Sequence, residues 1–233
     1  MNKMERQRNV AISEIFESIQ WEWRNTWKPS IFVRFWWCNL KCTWCDSKYS
    51  WDSTIEKANI MELWDILDQI RWFSSKHIIF TGGEPTLFQK QMLDIQEELW
   101  GEWYTYELET NGSQEIIEPL EFQQINISPK LKSSWNDEYK LRIINTYFPK
   151  VEKYGYIDFK FVCSNIMDCK ETDKYLSYLK RYEGYYTNNI YIMPLGTDSE
   201  SQVNEYLLKY CIKNNYNYCL RQHVVLFGDK KWV

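Results

Sequence analysis

The sequence predicts an α/β protein built on a parallel sheet. Short apolar runs of strand length alternate with amphipathic stretches of helical period, and the polar motifs fall at the C-terminal ends of successive runs. In such folds the loops at that end of the sheet gather into one site. The first expected strand is Ile31-Phe32-Val33-Arg34-Phe35, which runs into a cysteine-rich loop. A helix is expected over about 59–73, where Ile60, Leu63, Trp64, Leu67 and Ile70 share one face. The short run His77-Ile78-Ile79-Phe80 then enters Thr81-Gly82-Gly83-Glu84-Pro85. A helical stretch at about 89–100 leads to a strand at 104–109 that stops at Asn111-Gly112. Further strands are expected at 124–128, 156–162, 189–193 and 218–221, with helices at about 138–146, 168–182 and 200–214. No repeat, low-complexity tract or linker interrupts residues 1–233, so a single domain is expected.

Composition narrows the function classes. The 233 residues are 44% hydrophobic and 26% charged, the balance of a folded protein and not of a disordered one. A net charge of −4, with no basic block, argues against a nucleic-acid partner. No run of about 18 apolar residues offers a membrane span, and the opening MNKMERQRNV lacks the apolar stretch of a signal peptide. A cytoplasmic, reducing setting is therefore expected. The cysteine count, 7, is odd, so clustered thiols point to metal binding before disulfides.

Cys38, Cys42 and Cys45 form a C-x3-C-x2-C loop directly after a strand. Three thiolates can hold three irons of a cubane cluster and leave the fourth iron open to a small molecule. A structural zinc site needs a fourth ligand, and His77 and His223 are remote in sequence. A zinc knuckle closed by a distant residue, or three unrelated thiols, is the plain alternative. Cys163, Cys169, Cys211 and Cys219 are scattered and read as structural thiols.

This cysteine spacing, with Trp44 before the third cysteine and Gly82-Gly83-Glu84-Pro85 about 40 residues after the first, resembles the radical S-adenosylmethionine enzymes. The flanks resemble one family within them. Glu14-Ile15-Phe16-Glu17-Ser18-Ile19-Gln20, Cys45-Asp46-Ser47-Lys48-Tyr49-Ser50-Trp51, Ser128-Pro129-Lys130 and the stretch from His223 to Lys231 are similar to the 7-carboxy-7-deazaguanine synthases of the queuosine (deazapurine) pathway. The likeness covers nearly the whole chain. It implies an incomplete (βα)6-type barrel with a reduced core, a [4Fe–4S] cluster, S-adenosylmethionine and Mg2+, and a carboxylated tetrahydropterin substrate. It also implies an electron donor such as flavodoxin, and a homodimer. A glycyl-radical activase shares the cysteine spacing but lacks the N-terminal segment and needs a protein substrate.

Carried over by position, the resemblance gives the cluster to Cys38, Cys42 and Cys45, and Mg2+ to Ser47. It gives S-adenosylmethionine to Trp44, Cys45, Asp46, Gly83, Ser128, Pro129 and Lys130. It gives the pterin to Ile19, Gln20, Trp21, Glu22, Arg34, Thr81 and Val233. Arg34 brings the planar fork that suits a substrate carboxylate. His223 reads equally as a site residue or as a satisfied core histidine.

The chain departs from the family where Trp21, Trp23, Trp37 and Trp232 stand at glycine positions, and Trp27 falls in a loop where glycine is ordinary. It has 13 tryptophans and only 8 glycines, against roughly 16 glycines from average usage. The paired excess and deficit suggest a gene that writes glycine as UGA, read here as tryptophan. Trp44 and Trp51 match family tryptophans and are expected to be genuine.

Overall fold

The computed structural model describes residues 9–136, 155–180, 189–228 and 230. One sheet of nine strands runs through it, in the order β3-β1-β2-β4-β5-β6-β7-β8-β9. The strands are β1 (Val10–Ile19), β2 (Pro29–Phe35), β3 (Asn59–Met61), β4 (His77–Gly82), β5 (Thr105–Thr110), β6 (Gln124–Ile127), β7 (Tyr156–Cys163), β8 (Asn189–Pro194) and β9 (Asn217–Tyr218). From β2 through β4 to β9 every pairing is parallel, whereas β1 is antiparallel to both β2 and β3. The helices are α1 (Leu63–Trp72), α2 (Gln89–Glu98), α3 (Ile166–Leu179), α4 (Glu205–Asn214) and α5 (Gln222–Phe227).

The core lies where helix stripes meet the strand faces. In α1 the residues Leu63, Ile66, Leu67 and Ile70 are buried, at the i, i+3, i+4, i+7 spacing that puts them on one face. They join Ile31, Val33, Phe35, Ile78 and Phe80 in one apolar cluster. Asn165 and Asn204 start α3 and α4 by accepting first-turn N–H bonds through their side-chain oxygens.

Four points of the expected layout need correction. The helix expected from 59 begins only at 63, because Asn59, Ile60 and Met61 pair with Ile12, Ala11 and Val10; Ile60 is exposed and Trp64 partly so. The segment 10–19 is itself a strand. A register shift between Ile12 and Glu14 breaks its alternation, which hides it in the sequence. The last expected strand, 218–221, is only two residues long, and Arg221 caps a short helix instead. The stretch 200–204 precedes α4 and is not helical. The helix expected at 138–146 lies outside the described residues.

Candidate active site

A cavity of roughly 620 Å³ opens at the C-terminal ends of the parallel strands. Its wall brings together Gln20, Trp21, Glu22, Arg34, Cys38, Cys42, Trp44, Cys45, Asp46, Ser47, Thr81, Gly83, Ser128 and Lys130. Ile19 and Pro129 do not line it, and Val233 lies outside the described residues. Residues more than 200 positions apart in the chain thus share one wall, because seven parallel strands end on the same side.

The three cysteines face this cavity. Each sulfur accepts one N–H: Cys38 from the Leu40 backbone at 3.4 Å, Cys42 from Asn136 Nδ2 at 3.0 Å, Cys45 from Trp51 Nε1 at 3.4 Å. Burial pushes the Cys38 thiol up to about 12, so its thiolate needs a cation beside it. Among the described residues no three His, Cys, Asp or Glu side chains converge on a single ion position. Three thiols on one cavity wall are the donors that an iron–sulfur cube with one open iron takes. The donor set therefore fits the cluster.

The Gly-Gly-Glu-Pro segment locks the cysteine loop to the sheet. A Cβ on Gly83 would stand 2.1 Å from the Trp37 carbonyl oxygen and 2.9 Å from the Cys38 nitrogen. One on Gly82, at φ +136°, would stand 2.2 Å from the Phe35 carbonyl oxygen. Glycine is required here by the chain's own backbone, not only by an approaching ligand. Glu84 is fully buried; it accepts from Thr86 N, Thr86 Oγ1, Thr110 Oγ1 and Asn111 N, tying the β4 end to the β5 end.

Charge fills the opposite wall. Lys160 Nζ donates to Glu22 Oε2 in a mostly buried pair. Burial alone would raise the Glu22 carboxyl, but Lys160 and Arg221 outweigh it and hold Glu22 below its ordinary value. Gln20 is buried with its amide hydrogens on Glu107 and Glu109, at 2.9 and 3.0 Å, and its oxygen accepts the Glu22 N–H. Its side chain is thus held inside the sheet and sets Glu22 in place. Arg34 Nε donates to Glu14 at 2.7 Å. Arg221 Nε donates to Asp46 at 3.0 Å, and its Nη1 reaches the Pro194 and Gly196 carbonyls at 3.2 and 2.9 Å. Ser47 Oγ donates to the other Asp46 oxygen at 3.4 Å. Lys130 Nζ folds onto the Ser128 carbonyl and hydroxyl, and Trp44 Nε1 donates to the Ser133 carbonyl at 2.9 Å.

Sequence reasoning missed Lys160 and Arg221 and left His223 open. His223 lines the cavity, and its buried Nδ1 has no hydrogen-bond partner. Lys160 was legible in principle: in the apolar run of β7, Asp158 and Lys160 recur at period two, the mark of a polar interior face. The other four cysteines are buried and free.

The superfamily model described as the Radical SAM superfamily matches residues 35–207. A 7-carboxy-7-deazaguanine synthase of Buchnera aphidicola is 30% identical over 234 residues, covering 92% of this chain and 97% of the relative. The chain belongs to the 7-carboxy-7-deazaguanine synthase family of the radical SAM superfamily. A Haemophilus influenzae protein of the same name is 42% identical over 136 residues, a match that covers 58% of this chain and 59% of that relative. In fold, the chain is similar to the crystal structure of QueE from Escherichia coli, with a TM-score of 0.71 at 20% identity over 96% of this chain and 99% of that one. The parallel sheet and its helices are the radical SAM architecture expected from the cysteine motif. No helix among the described residues is long and apolar enough to cross a membrane.

Proposed function

We propose that this chain converts 6-carboxy-5,6,7,8-tetrahydropterin to 7-carboxy-7-deazaguanine and ammonia in the cytoplasm, as a single domain over 1–233 that pairs with a second copy. Product and ammonia together hold the atoms of the substrate, so the conversion needs no net oxidant. The observation that carries this reading is the end-to-end match to the Buchnera relative of that name, in a chain whose three-thiol loop and Glu22–Arg34 wall share one cavity.

Cys38, Cys42 and Cys45 would hold the cluster, and an electron donor such as flavodoxin would supply its electron. When bound, the cluster and S-adenosylmethionine supply a reversible hydrogen-atom abstraction. Trp44 offers its ring face to the adenine, while Asp46, Gly83, Ser128, Pro129 and Lys130 hold the ribose and amino-acid ends. Ser47 gives Mg2+ a hard hydroxyl oxygen beside the Asp46 carboxylate, a small donor set of the kind this ion completes with water and substrate. Glu22, held ionised, accepts hydrogen bonds from the amino edge of the pterin, on a floor set by Ile19, Gln20 and Trp21. Arg34 and Thr81 meet the substrate carboxylate side, and His223 offers its unpartnered ring nitrogen. The test is anaerobic incubation of the reconstituted protein with S-adenosylmethionine, a reductant and the carboxypterin. A product lighter by one ammonia is expected; recovery of the pterin unchanged, with the cluster intact, overturns the assignment.

A further inference from the structure

Six residues other than glycine have positive φ among the described residues: Trp23, Trp27, Trp37, Trp103, Trp135 and Asn215. Asparagine is tolerated there, but a bulky residue is a genuine outlier. Tryptophan is 13 of 233 residues, so chance would place fewer than one of it in such a set. The backbone cannot relax these angles away. Trp37, at φ 132°, donates its N–H to the Ser50 carbonyl at 2.8 Å and accepts from the Glu84 N–H at 2.8 Å. Trp27 donates to the Gln20 carbonyl at 2.7 Å. Trp135 is the left-handed residue that ends a short 3-10 helix, and Trp103 sits at φ 65° in the turn after α2; both are places where glycine is the rule. Trp23, Trp27 and Trp37 find ring neighbours in Tyr191, Trp21 and Trp36, but the other two indoles do not pack. Trp103 and Trp135 are 89% and 81% exposed, and the buried Trp23 Nε1 has no acceptor.

We infer that positions 23, 27, 37, 103 and 135 are glycine in the functional protein, encoded by UGA. The backbone adds 103 and 135 to the positions that the family resemblance and the loop at 27 suggest, and gives Trp21 no such support, since its φ is not positive; Trp232 lies outside the described residues. The coding DNA tests each position by its own triplet: UGA at these five and UGG at 44 and 51 is expected, and UGG at 37, 103 and 135 overturns the inference. Trp103→Gly, where no packing is lost, should raise Tm by about 2–4 °C, while Trp103→Ala should not. Equal behaviour of the two variants means that φ is not the cause and overturns it as well.

A different observation carries a second inference. All three site sulfurs accept an N–H, and two of the donors come from side chains, Asn136 and Trp51. Asn136 is pinned to the cysteine loop from the other side too, since its Oδ1 accepts the Lys41 N–H at 2.8 Å. Reduction of a cluster places added negative charge on its sulfurs, and N–H donors stabilise that form and raise the potential. We propose that Asn136 and Trp51 are positioning residues that set the reduction potential of the cluster, an inference that rests on the cluster occupying Cys38, Cys42 and Cys45. The test is a spectroscopically monitored redox titration of the reconstituted wild type, Asn136→Leu and Trp51→Phe, with iron and sulfide analysis beside it. Near-normal iron with a more negative midpoint in Trp51→Phe is expected. An unchanged midpoint in Trp51→Phe overturns the proposal, whatever Asn136→Leu does. A wild type that takes up no four-iron cluster is a separate result and instead overturns the reading of the site.

Discussion

Burial alone would raise the Glu22 carboxyl, and Lys160 with Arg221 holds it below its ordinary value. Its folded-state value lies below the ordinary 4.5, so folding favours the ionised form. The pair therefore adds stability above the ordinary carboxyl range and loses it as pH falls through the lowered value. Glu22→Gln leaves the Lys160 ammonium without its counter-charge in a mostly buried position, which costs about 3 kcal/mol near neutral pH. Urea unfolding of both proteins should show that gap at pH 7 and a shrinking one as pH falls through the lowered Glu22 value; a gap independent of pH would mean that packing, not charge, sets it. The two ends of this pair were unequally legible. Glu22 was found through its place in a family-like segment, whereas Lys160 gains its meaning only when β7 brings it across the cavity to a residue 138 positions away.

At the scale of elements, the short α5 matters more than its length suggests. Arg221 at its cap has a side chain only 4% exposed, and it joins three parts: the cysteine loop through Asp46, the end of β8 through the Pro194 carbonyl, and the following turn through Gly196. Arg221→Met strips the partner from each, at a cost of about 3 kcal/mol, and should lower Tm by roughly 6–12 °C. Amide exchange over 42–47 should quicken in the same variant; unaltered exchange there would show that the bracket does not reach the cysteine loop. Periodicity revealed the parallel strands and the buried stripes of α1, since those depend on local pattern. It missed β1, whose register shift spoils alternation, and β3, whose three residues gain strand form only from pairing with β1. It missed α5 because six residues carry too little pattern to tell a helical turn from a strand end.

For the whole molecule, sequence order and sheet order part company only at one edge, where β1 lies between β3 and β2. Every other neighbour in the parallel run follows the chain, so the site is assembled by successive crossovers, and the motifs at strand ends converge without any long-range rearrangement. This explains why motif positions were readable while the contacts between them were not. Spacing fixes which residues leave the same edge of the sheet, but only the completed sheet decides whose charge meets whose. A sheet continuous from β3 to β9 also has no internal boundary at which half of it could unfold alone. Backbone ellipticity and tryptophan fluorescence should therefore report one coincident thermal transition. S-adenosylmethionine held in the cavity at the strand ends, as proposed, would stabilise the entire sheet and not one part of it. At a hundredfold its Kd it adds about 2.7 kcal/mol and should move the single transition of the reconstituted protein upward by roughly 5–10 °C. A curve that splits into two steps on adding the cofactor would show that the cavity belongs to a separately folding half, and the sheet would then be two cooperative units in place of one.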